Sequence, residues 1–348
     1  MFVHLGPILT LWFLALTLLS AGQPDGYYDS AEGLEGEELR EALSIIISGH
    51  NAQSYGSLWE HFELTDKKSD GTVWDVYSDT PGTFPPYVYQ FVSDQCGSYT
   101  QEGDCYNREH SVPSSWFDSA APAYTDLFHL YPVDGYVNGM RSDHPYGPVS
   151  NPTYTSQNGG KRGPCVFPGY SGTAFEPIDD FKGDLARTYF YMATRYKSTL
   201  SAWNSSMFSQ GNLSPWAAEM LLQWAATDPV DDKETARNEA VYLIQNNRNP
   251  YIDRPVFAEE VWDIEGKNPD TVAEKDNSIE LYVSEGLLIH PQFDATAQLL
   301  VFDITGRLRF QTSCDAFQTI LPSIQHPGLF IIRIENSHQI GLLKWMVQ

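Results

Sequence analysis

Two neighbouring stretches decide the fold: Cys105–Phe117, CYNREHSVPSSWF, and Thr125–Gly147, TDLFHLYPVDGYVNGMRSDHPYG. Glu109 and His110 are adjacent, and because neighbouring residues on a strand point to opposite sides, one can bind a metal and the other a water. A carboxylate with a neutral amide oxygen, such as that of Asn138, suits Mg²⁺, which keeps several waters and needs few protein ligands. A histidine that does not ligate the metal stays available as a general base.

Other hydrolase motifs give no support to a different chemistry. An HExxH pattern is absent, which leaves zinc-protease chemistry unsupported, and neither a nucleophile elbow nor a P-loop occurs. A Glu-His dipeptide alone is weak evidence for a catalytic site, because such pairs are common and mostly lie on the surface. The interpretation therefore depends on the surrounding sequence.

On both sides of these stretches, hydrophobic spacing predicts helices and a long loop region. Apolar residues in Leu39–Ile47 follow i, i+3, i+4, i+7, i+8 spacing, typical of an amphipathic helix. Residues 55–172 are rich in Gly, Pro, Ser, Asp and Tyr and predict loops with short strands at Thr72–Tyr77 and Tyr87–Val92. Further helices are predicted at about 178–200, at about 214–226 with Ser214 as N-cap and Pro215 in the first turn, and at about 232–247.

The two ends of the chain differ from its middle. Residues 5–19 are almost continuously apolar and precede small residues, which predicts a cleaved signal peptide at 1–22, with an uncleaved anchor as the alternative. No later stretch is long and apolar enough to span a bilayer, so we expect an exported protein. Residues 258–276 hold seven acids and two lysines and predict an acidic linker. An apolar period of two then predicts a small β-sandwich at 277–348.

The four cysteines are expected in a compartment where disulfides persist. Cys96 and Cys105 are nine positions apart across a Gly-rich bend and are the preferred disulfide pair. Cys165 and Cys314 either pair or stay as thiols.

The charge balance taken alone argues against a nucleic-acid partner. Forty-five acids against 21 Lys and Arg give a net charge of −24, the wrong sign for binding phosphate backbones. Within 161–197, however, six cations outnumber four acids. We expect these cations to form a basic strip beside the site: Lys161, Arg162, Lys182, Arg187, Arg195 and Lys197.

The run Tyr106–Phe117 with Asp126–Asn138 resembles the bacterial endonuclease I family, exported non-specific nucleases of the His-Me finger (ββα-metal) type. The resemblance extends upstream through Val73–Ser78 and downstream through Gly183–Tyr196 and Gln245–Pro255. It covers about residues 27–255.

The resemblance implies an α+β fold. A ββα-metal core would be embedded in a mostly helical, loop-rich nuclease domain at 27–257, followed by the small all-β sandwich. It also implies His110 as the general base, with Glu109 and Asn138 as ligands of one Mg²⁺, for which Ca²⁺ or Mn²⁺ could substitute.

Three further residues have two interpretations each. The family often has two histidines after Asp-Leu; here Phe128 takes the first position, so His129 either supports the site or packs beneath it. Arg141 either neutralises phosphate charge or ties its helix to Asp126. Arg187 either contacts phosphate or pairs internally with Asp184, one helical turn away.

The implied reaction is phosphodiester hydrolysis that leaves 5′-phosphate ends. Because the nucleophile is water and not the ribose 2′-hydroxyl, the chemistry does not distinguish DNA from RNA. No base-reading element is evident, so we expect cleavage independent of sequence and dominated by backbone contacts.

The end of the chain resembles a second known unit. Val301–Arg307, Pro327–Arg333 and Lys344 are similar to the C-terminal sorting domain of type IX secretion. The resemblance implies the outer-membrane secretion machinery as a partner, and a secreted or cell-surface protein without a membrane span. An ordinary β-sandwich binding module is the alternative.

Two other function classes compete with the nuclease. One is a surface binding or adhesion protein on a catalytically decayed nuclease scaffold, and the intact Glu109, His110 and Asn138 count against it. The other is an exported glycan-active enzyme, which rests only on secretion and aromatic content, because no carboxylate pair can be singled out for it.

Overall fold

The computed structural model describes residues 22–262 and, beyond them, seven strand segments between 282 and 347. The chain divides into two compact units after residue 264. The predicted signal peptide, apart from Gly22, and residues 263–276 of the predicted linker lie outside the described residues. In the described part, no helix combines the length and the apolar character needed to cross a membrane.

The described helices of the first unit are α1 Gly36–Ile46, α2 Leu58–Thr65, α3 Gly135–Arg141, α4 Lys182–Arg195, α5 Pro215–Thr227, α6 Asp232–Gln245, α7 Pro250–Asp253 and α8 Val256–Trp262. One short 3₁₀ turn precedes α1, at Asp29–Ala31, and others lie between the helices, at Ser114–Phe117, Ala123–Thr125, Leu127–His129, Asp179–Phe181 and Leu200–Ala202. The predicted helices are confirmed, with ends that shift by a few residues.

The described strands of the first unit are short and form three small antiparallel sheets. They are β1 Tyr106–His110 with β2 Leu130–Asp134, then β3 Tyr154–Thr155 with β4 Lys161–Pro164 and β5 Thr173–Glu176, and finally β6 Phe208–Ser209 with β7 Asn212–Leu213. Mixed helices and small antiparallel sheets agree with the predicted α+β class.

The described residues of the second unit all lie in strands: β8 Tyr282–Ser284, β9 Leu287–Ile289, β10 Ala297–Asp303, β11 Leu308–Cys314, β12 Gln318–Ile320, β13 Gly328–Glu335 and β14 Ile340–Val347. One sheet has the order β11-β10-β13-β14 and another the order β12-β9-β8. Val301 on β10 pairs with Ile332 on β13, and both side chains are buried. The packing of these sheets as a sandwich stays a prediction.

Neither strand predicted in the loop region forms. Val73 makes only an isolated bridge with Lys67, and Tyr87–Val92 has no strand. At Thr72–Tyr77 the Asp75 carboxylate accepts hydrogen bonds from Tyr77 N at 2.7 Å and from the distant Asp134 N at 2.7 Å. An aspartate that bonds the backbone two residues on stabilises a turn and not a ladder.

The predicted linker begins too early. Helix α8 continues to Trp262, because Ala258 and Trp262 are buried in the core of the first unit. The Trp262 ring stacks on Phe190 with centroids 4.7 Å apart, and its Nε1 donates to Asn212 Oδ1 at 2.9 Å. The folded chain therefore extends at least five residues past the predicted boundary at 257.

Ser214 precedes α5 as predicted, but its side chain makes no capping hydrogen bond and its Oγ is buried without a partner among the described residues. Pro215 occupies the first turn, where its missing N–H costs nothing. The backbone position was thus predicted correctly and the side-chain bond was not.

Helix α4 is the central helix of the first unit. All residues from Gly183 to Thr194 are buried, so the helix is covered on every side. Two of its residues hold the β1–β2 hairpin: Tyr189 Oη donates to Ser111 O at 2.8 Å, and Thr188 Oγ1 bonds Tyr131 Oη at 2.7 Å. The hairpin therefore rests on a fully packed support.

Strands β1 and β2 pair with each other, and β2 leads directly into α3. Antiparallel pairing sets Glu109 opposite Tyr131 and His110 opposite Leu130. Asp134 ends β2 and caps α3, since its Oδ1 accepts from Val137 N at 2.8 Å. This β-β-α order brings Asn138 back beside β1.

Candidate active site

The two faces of β1 carry different groups, as alternation along a strand requires. Asn107 and Glu109 face α3, where they bond Asn138 and Arg141 respectively. His110 faces the opposite way and stacks on Tyr124, with ring centroids 4.9 Å apart. The predicted separation of Glu109 from His110 is therefore seen.

Glu109 is buried and held on one oxygen. Its Oε1 accepts from Tyr77 Oη at 2.6 Å and from Arg141 Nη1 at 2.8 Å. No side chain among the described residues donates to Oε2, and the His110 backbone N–H also stabilises the carboxylate. Burial raises the pKa of the Glu109 carboxyl, and Arg141 and Tyr77 oppose that shift. One oriented carboxylate oxygen is thus left for a ligand.

Asn138 is oriented by its neighbour on β1. Its Nδ2 donates to Asn107 Oδ1 at 2.8 Å, which leaves the amide oxygen of Asn138 available. Tyr99 packs closely against α3 at Gly139. This close approach is possible because Gly139 has no side chain, since a Cβ there would lie 2.5 Å from Tyr99 Oη. A small residue after Asn138 is therefore part of how this helix is seated.

Tyr99 belongs to the loop that the predicted disulfide closes. Cys96 and Cys105 are bonded, with their Cα atoms 5.7 Å apart, which confirms the prediction. Cys105 directly precedes β1. Cys165 is buried and has no disulfide partner among the described residues, whereas the side chain of Cys314 lies outside them.

Glu109, His110, Asn138 and Arg141 line one cleft of about 180 Å³. The described residues contain no group of three or more His, Cys, Asp or Glu side chains placed for a metal. One carboxylate oxygen and one amide oxygen are a hard-oxygen pair that fits Mg²⁺ with water and substrate oxygens completing its octahedron. The donor set therefore fits the predicted metal.

His110 is fixed in one neutral tautomer. Its Nε2 lies 3.0 Å from Tyr124 O, and because a carbonyl can only accept, Nε2 carries the proton. The lone pair is then on Nδ1. Burial lowers the pKa of His110 to about 3, with His129, Arg108 and Arg141 acting in the same direction. At neutral pH the ring is an unprotonated base.

His129 lies beneath the site, fully buried. Its Nε2 is 2.7 Å from Ala123 O, and its ring centroid is 5.4 Å from that of His110. Burial lowers the pKa of His129 as well, although Asp126 opposes the shift. This geometry favours the packing interpretation of His129.

Arg141 is a structural arginine with a different partner from the predicted one. It is fully buried, and besides Glu109 it donates to His110 O at 3.0 Å and Ser111 O at 2.7 Å. The predicted tie to Asp126 is wrong, since Asp126 accepts instead from Tyr191, Tyr196 and Gln245. Arg141 joins α3 to the end of β1.

Arg187 is buried away from the cleft. Its Nε donates to Glu234 Oε1 at 2.7 Å, and Nη1 donates to Asp228 O at 2.8 Å. The predicted partner Asp184 lies 3.6 Å from Nη2, as a second carboxylate of the same group. This geometry favours the internal ion pair over phosphate contact.

The predicted basic strip does not form as an open surface. Arg187 is buried, Lys161 and Lys182 pair with Glu176, and Lys197 pairs with Glu37. Glu176 belongs to the same segment as these two lysines, whereas Arg187 and Lys197 pair with acids outside it, Glu234 and Glu37. Arg162 and Arg195 instead bond Met140 O and His50 Nδ1.

Three residues of the site escaped the sequence reasoning. Tyr77 reaches Glu109 from 32 positions away, and no local pattern could indicate that contact. The carbonyl of Tyr124, which sets the His110 tautomer, is a backbone group and leaves no mark in the sequence. The sequence does indicate Arg108, because it stands two residues before His110 and therefore lies on the same face of the strand.

The sequence is similar to known nucleases over most of the first unit. A sequence profile of the family described as Endonuclease I matches residues 35–256. An extracellular ribonuclease of Bacillus subtilis (strain 168) is 34% identical over 265 residues, which are 73% of this chain and 84% of that protein. An extracellular ribonuclease of Bacillus amyloliquefaciens is 36% identical over 253 residues, 68% of this chain and 78% of that protein. A periplasmic deoxyribonuclease of Aeromonas hydrophila is 26% identical over 133 residues, 37% of this chain and 47% of that protein.

Proposed function

Because this chain belongs to the endonuclease I family, we propose that it is an exported endonuclease that hydrolyses DNA and RNA with His110 as general base. The observation that carries the proposal is the single cleft in which the β1–β2–α3 unit places Glu109, His110 and Asn138. We propose that this unit is the ββα-metal core of a His-Me finger nuclease.

His110 supports the proposal through its tautomer. Nδ1 takes a proton from a water, the water oxygen attacks phosphorus, and the bond from phosphorus to the 3′ oxygen breaks. The Tyr124 carbonyl keeps the proton on Nε2, and it stabilises the imidazolium that forms. The 3′ oxygen takes a proton from solvent, which leaves a 3′-hydroxyl and a 5′-phosphate.

Glu109 and Asn138 would hold Mg²⁺ through Oε2 and Oδ1. When bound, the ion supplies electrostatic stabilisation of the charge that develops on the phosphate and the leaving oxygen. Tyr77 and Arg141 hold the other carboxylate oxygen of Glu109, so this residue keeps one orientation without a ligand.

The substrate class follows from the nucleophile. Water is the attacking group, and the ribose 2′-hydroxyl has no role in the reaction, so RNA and DNA are both substrates. The names of the relatives support both, since two are extracellular ribonucleases and one is a periplasmic deoxyribonuclease. Those names also support export of this chain.

The second unit would act in transport. We propose that the strands after residue 264 form the β-sandwich of a type IX sorting domain, which directs the protein to secretion or to the cell surface. A chain shortened to end at residue 264 would then keep its nuclease activity and stay in the periplasm. Secretion of the shortened chain would refute this part.

Cleavage of supercoiled plasmid and of a long single-stranded RNA, each with Mg²⁺ and with EDTA, tests the activity. We expect nicking and RNA degradation with Mg²⁺, no cleavage with EDTA, and product 5′ ends that accept label only after phosphatase treatment. Cleavage that persists in EDTA, or products with 5′-hydroxyl ends, would contradict the proposal.

A further inference from the structure

Arg108 lines the same cleft as Glu109 and His110. It precedes Glu109 on β1 and lies two residues from His110, so both side chains project from the same face of the strand. Two residues along a strand span about 6.6 Å. A phosphodiester positioned for attack by a water at His110 is within reach of an extended arginine at that distance.

The guanidinium of Arg108 is held by aromatic rings. Its central carbon lies 3.6 Å from the ring centroid of Tyr55 and 4.4 Å from that of Trp59. Its Nη1 donates to Tyr55 O at 2.7 Å, and the guanidinium also donates to the Tyr55 hydroxyl. Most of its N–H donors therefore stay available to a ligand, on a side chain whose orientation is already fixed.

No carboxylate among the described residues pairs with Arg108. The cleft's other arginine, Arg141, is fully buried and bonded to Glu109 and to backbone carbonyls. Arg108 is only partly buried, so its charge is neither neutralised by an acid nor enclosed. Acids greatly outnumber cations in this chain, whose net charge is −24, and yet this arginine beside the proposed base has no acidic partner among the described residues.

We propose that Arg108 binds a non-bridging oxygen of the substrate phosphodiester beside His110, and that Tyr55 and Trp59 hold it there. The inference rests on the proposed function and identifies the binding cation of the same cleft. A planar guanidinium suits a phosphate because two of its N–H groups can bond two oxygens together. Arg108 therefore takes the place of Arg141 and Arg187 as the residue proposed to contact phosphate.

A phosphate contact has a signature that a structural contact lacks. Each phosphate that a protein neutralises on a single strand releases counterions. The logarithm of the association constant therefore falls as the logarithm of the salt concentration rises, with a slope of about −0.7 per contact. Loss of one contact therefore makes this slope shallower by about 0.7. A side chain that only supports the fold would change affinity and leave the slope as it was.

The test measures binding of a fluorescent single-stranded DNA oligonucleotide to the full chain carrying His110→Ala, across a range of salt concentrations. We expect Arg108→Met to weaken binding by about 10-fold or more and to make the slope shallower by about 0.7. Arg108→Lys keeps the charge and should keep the slope. An unchanged slope in a folded Arg108→Met protein would overturn the inference.

Arg195→Met is the matched control. Arg195 also lies against a tyrosine ring, 4.9 Å from the centroid of Tyr196, and its guanidinium also donates a hydrogen bond, but it does not line the cleft. Its substitution should leave the slope unchanged. A slope equally shallow in both variants would mean that overall charge and not a specific contact is responsible, and would also overturn the inference.

If Arg108→Met does not fold, modification of arginines by phenylglyoxal in the His110→Ala chain gives a second measurement. We expect the oligonucleotide to protect Arg108, located by mass spectrometry, and to leave Arg195 as reactive as before. Equal modification of Arg108 with and without oligonucleotide would refute the contact. The proposed nuclease function fails separately, if the unsubstituted chain does not cleave plasmid with Mg²⁺.

Discussion

In the proposed mechanism His110 is the general base, and its protonation state is set by four neighbours and by burial. The Tyr124 carbonyl fixes the proton on Nε2, while burial and the nearby His129, Arg108 and Arg141 disfavour a second proton. A ring with so depressed a pKa stays unprotonated well below the ordinary imidazole value of about 6.5.

We therefore predict that the acid limb of the kcat/KM profile, measured at saturating Mg²⁺, lies clearly below pH 6.5. The sign follows from the depressed pKa of His110: the base form persists as the pH falls, and activity is lost only when the ring finally gains its proton. A limb centred at or above pH 6.5 would contradict this environment for His110.

Tyr77 is a positioning residue for Glu109, to whose Oε1 it donates at 2.6 Å. In Tyr77→Phe the carboxylate keeps only Arg141 and can rotate, so its oxygen is no longer directed into the cleft. We predict that the Mg²⁺ concentration for half-maximal activity rises about 10- to 100-fold. The free energy of unfolding should fall by about 1 kcal/mol, because Tyr146 Oη loses its partner as well.

Tyr251→Phe separates the two effects. Tyr251 is also fully buried and shares its hydroxyl with Thr194 at 2.6 Å, but it does not line the cleft. It should lose similar stability with no change in the Mg²⁺ requirement. An unaltered Mg²⁺ requirement in Tyr77→Phe would show that Glu109 does not need this hydrogen bond.

Helix α4 is the element whose packing fixes the hairpin of the site, and a glycine allows that packing. A Cβ on Gly183 would lie 1.9 Å from Asp228 O and 2.6 Å from Arg187 Nη2. Asp228 follows α5, so α4 and the end of α5 approach each other closely only because position 183 has no side chain.

Gly183→Ala should therefore lower the free energy of unfolding by about 3 kcal/mol, measured by urea denaturation. The obstacle is a backbone carbonyl, which cannot move aside as a side-chain end can. Gly56→Ala is the control, because a Cβ there would meet nothing within 4 Å and the residue's φ is negative. Equal stability of the two variants would show that α4 can shift without cost.

The same elements show what a sequence can and cannot predict. Helices α1 and α4 follow from apolar spacing and the start of α5 from Ser214 and Pro215, whereas the β1–β2–α3 order follows from the family resemblance. Thr72–Tyr77 was assigned wrongly because Asp75 bonds backbone amides, one of them 59 residues away. Contacts of that kind, like the Tyr77–Glu109 bond, depend on tertiary structure and have no local pattern.

For the whole molecule, the net charge of −24 is not an obstacle to a nucleic-acid substrate, but it limits affinity. The acids are paired with most of the cations that sequence counting assigned to a basic strip. Binding is therefore expected to depend on few contacts at the cleft, and to weaken as salt increases.

The boundary between the two units gives a prediction about truncation. A chain ending at residue 264 should keep the stability and nuclease activity of the first unit. A chain ending at Ala258 lacks Trp262, which is buried against Phe190 and Tyr251, and should lose about 3–5 kcal/mol. Thermal unfolding of both chains measures this difference. Equal stability of the two chains would show that the first unit ends at residue 258.

The proposed function depends on metal-dependent hydrolysis in this cleft with His110 as its base. Plasmid nicking by the unsubstituted chain and by His110→Ala, at the same saturating Mg²⁺ concentration, tests this role of His110. We predict that His110→Ala folds normally and nicks about 10²- to 10⁴-fold more slowly. Undiminished nicking by a folded His110→Ala chain, or no nicking by the unsubstituted chain, would contradict the proposed function.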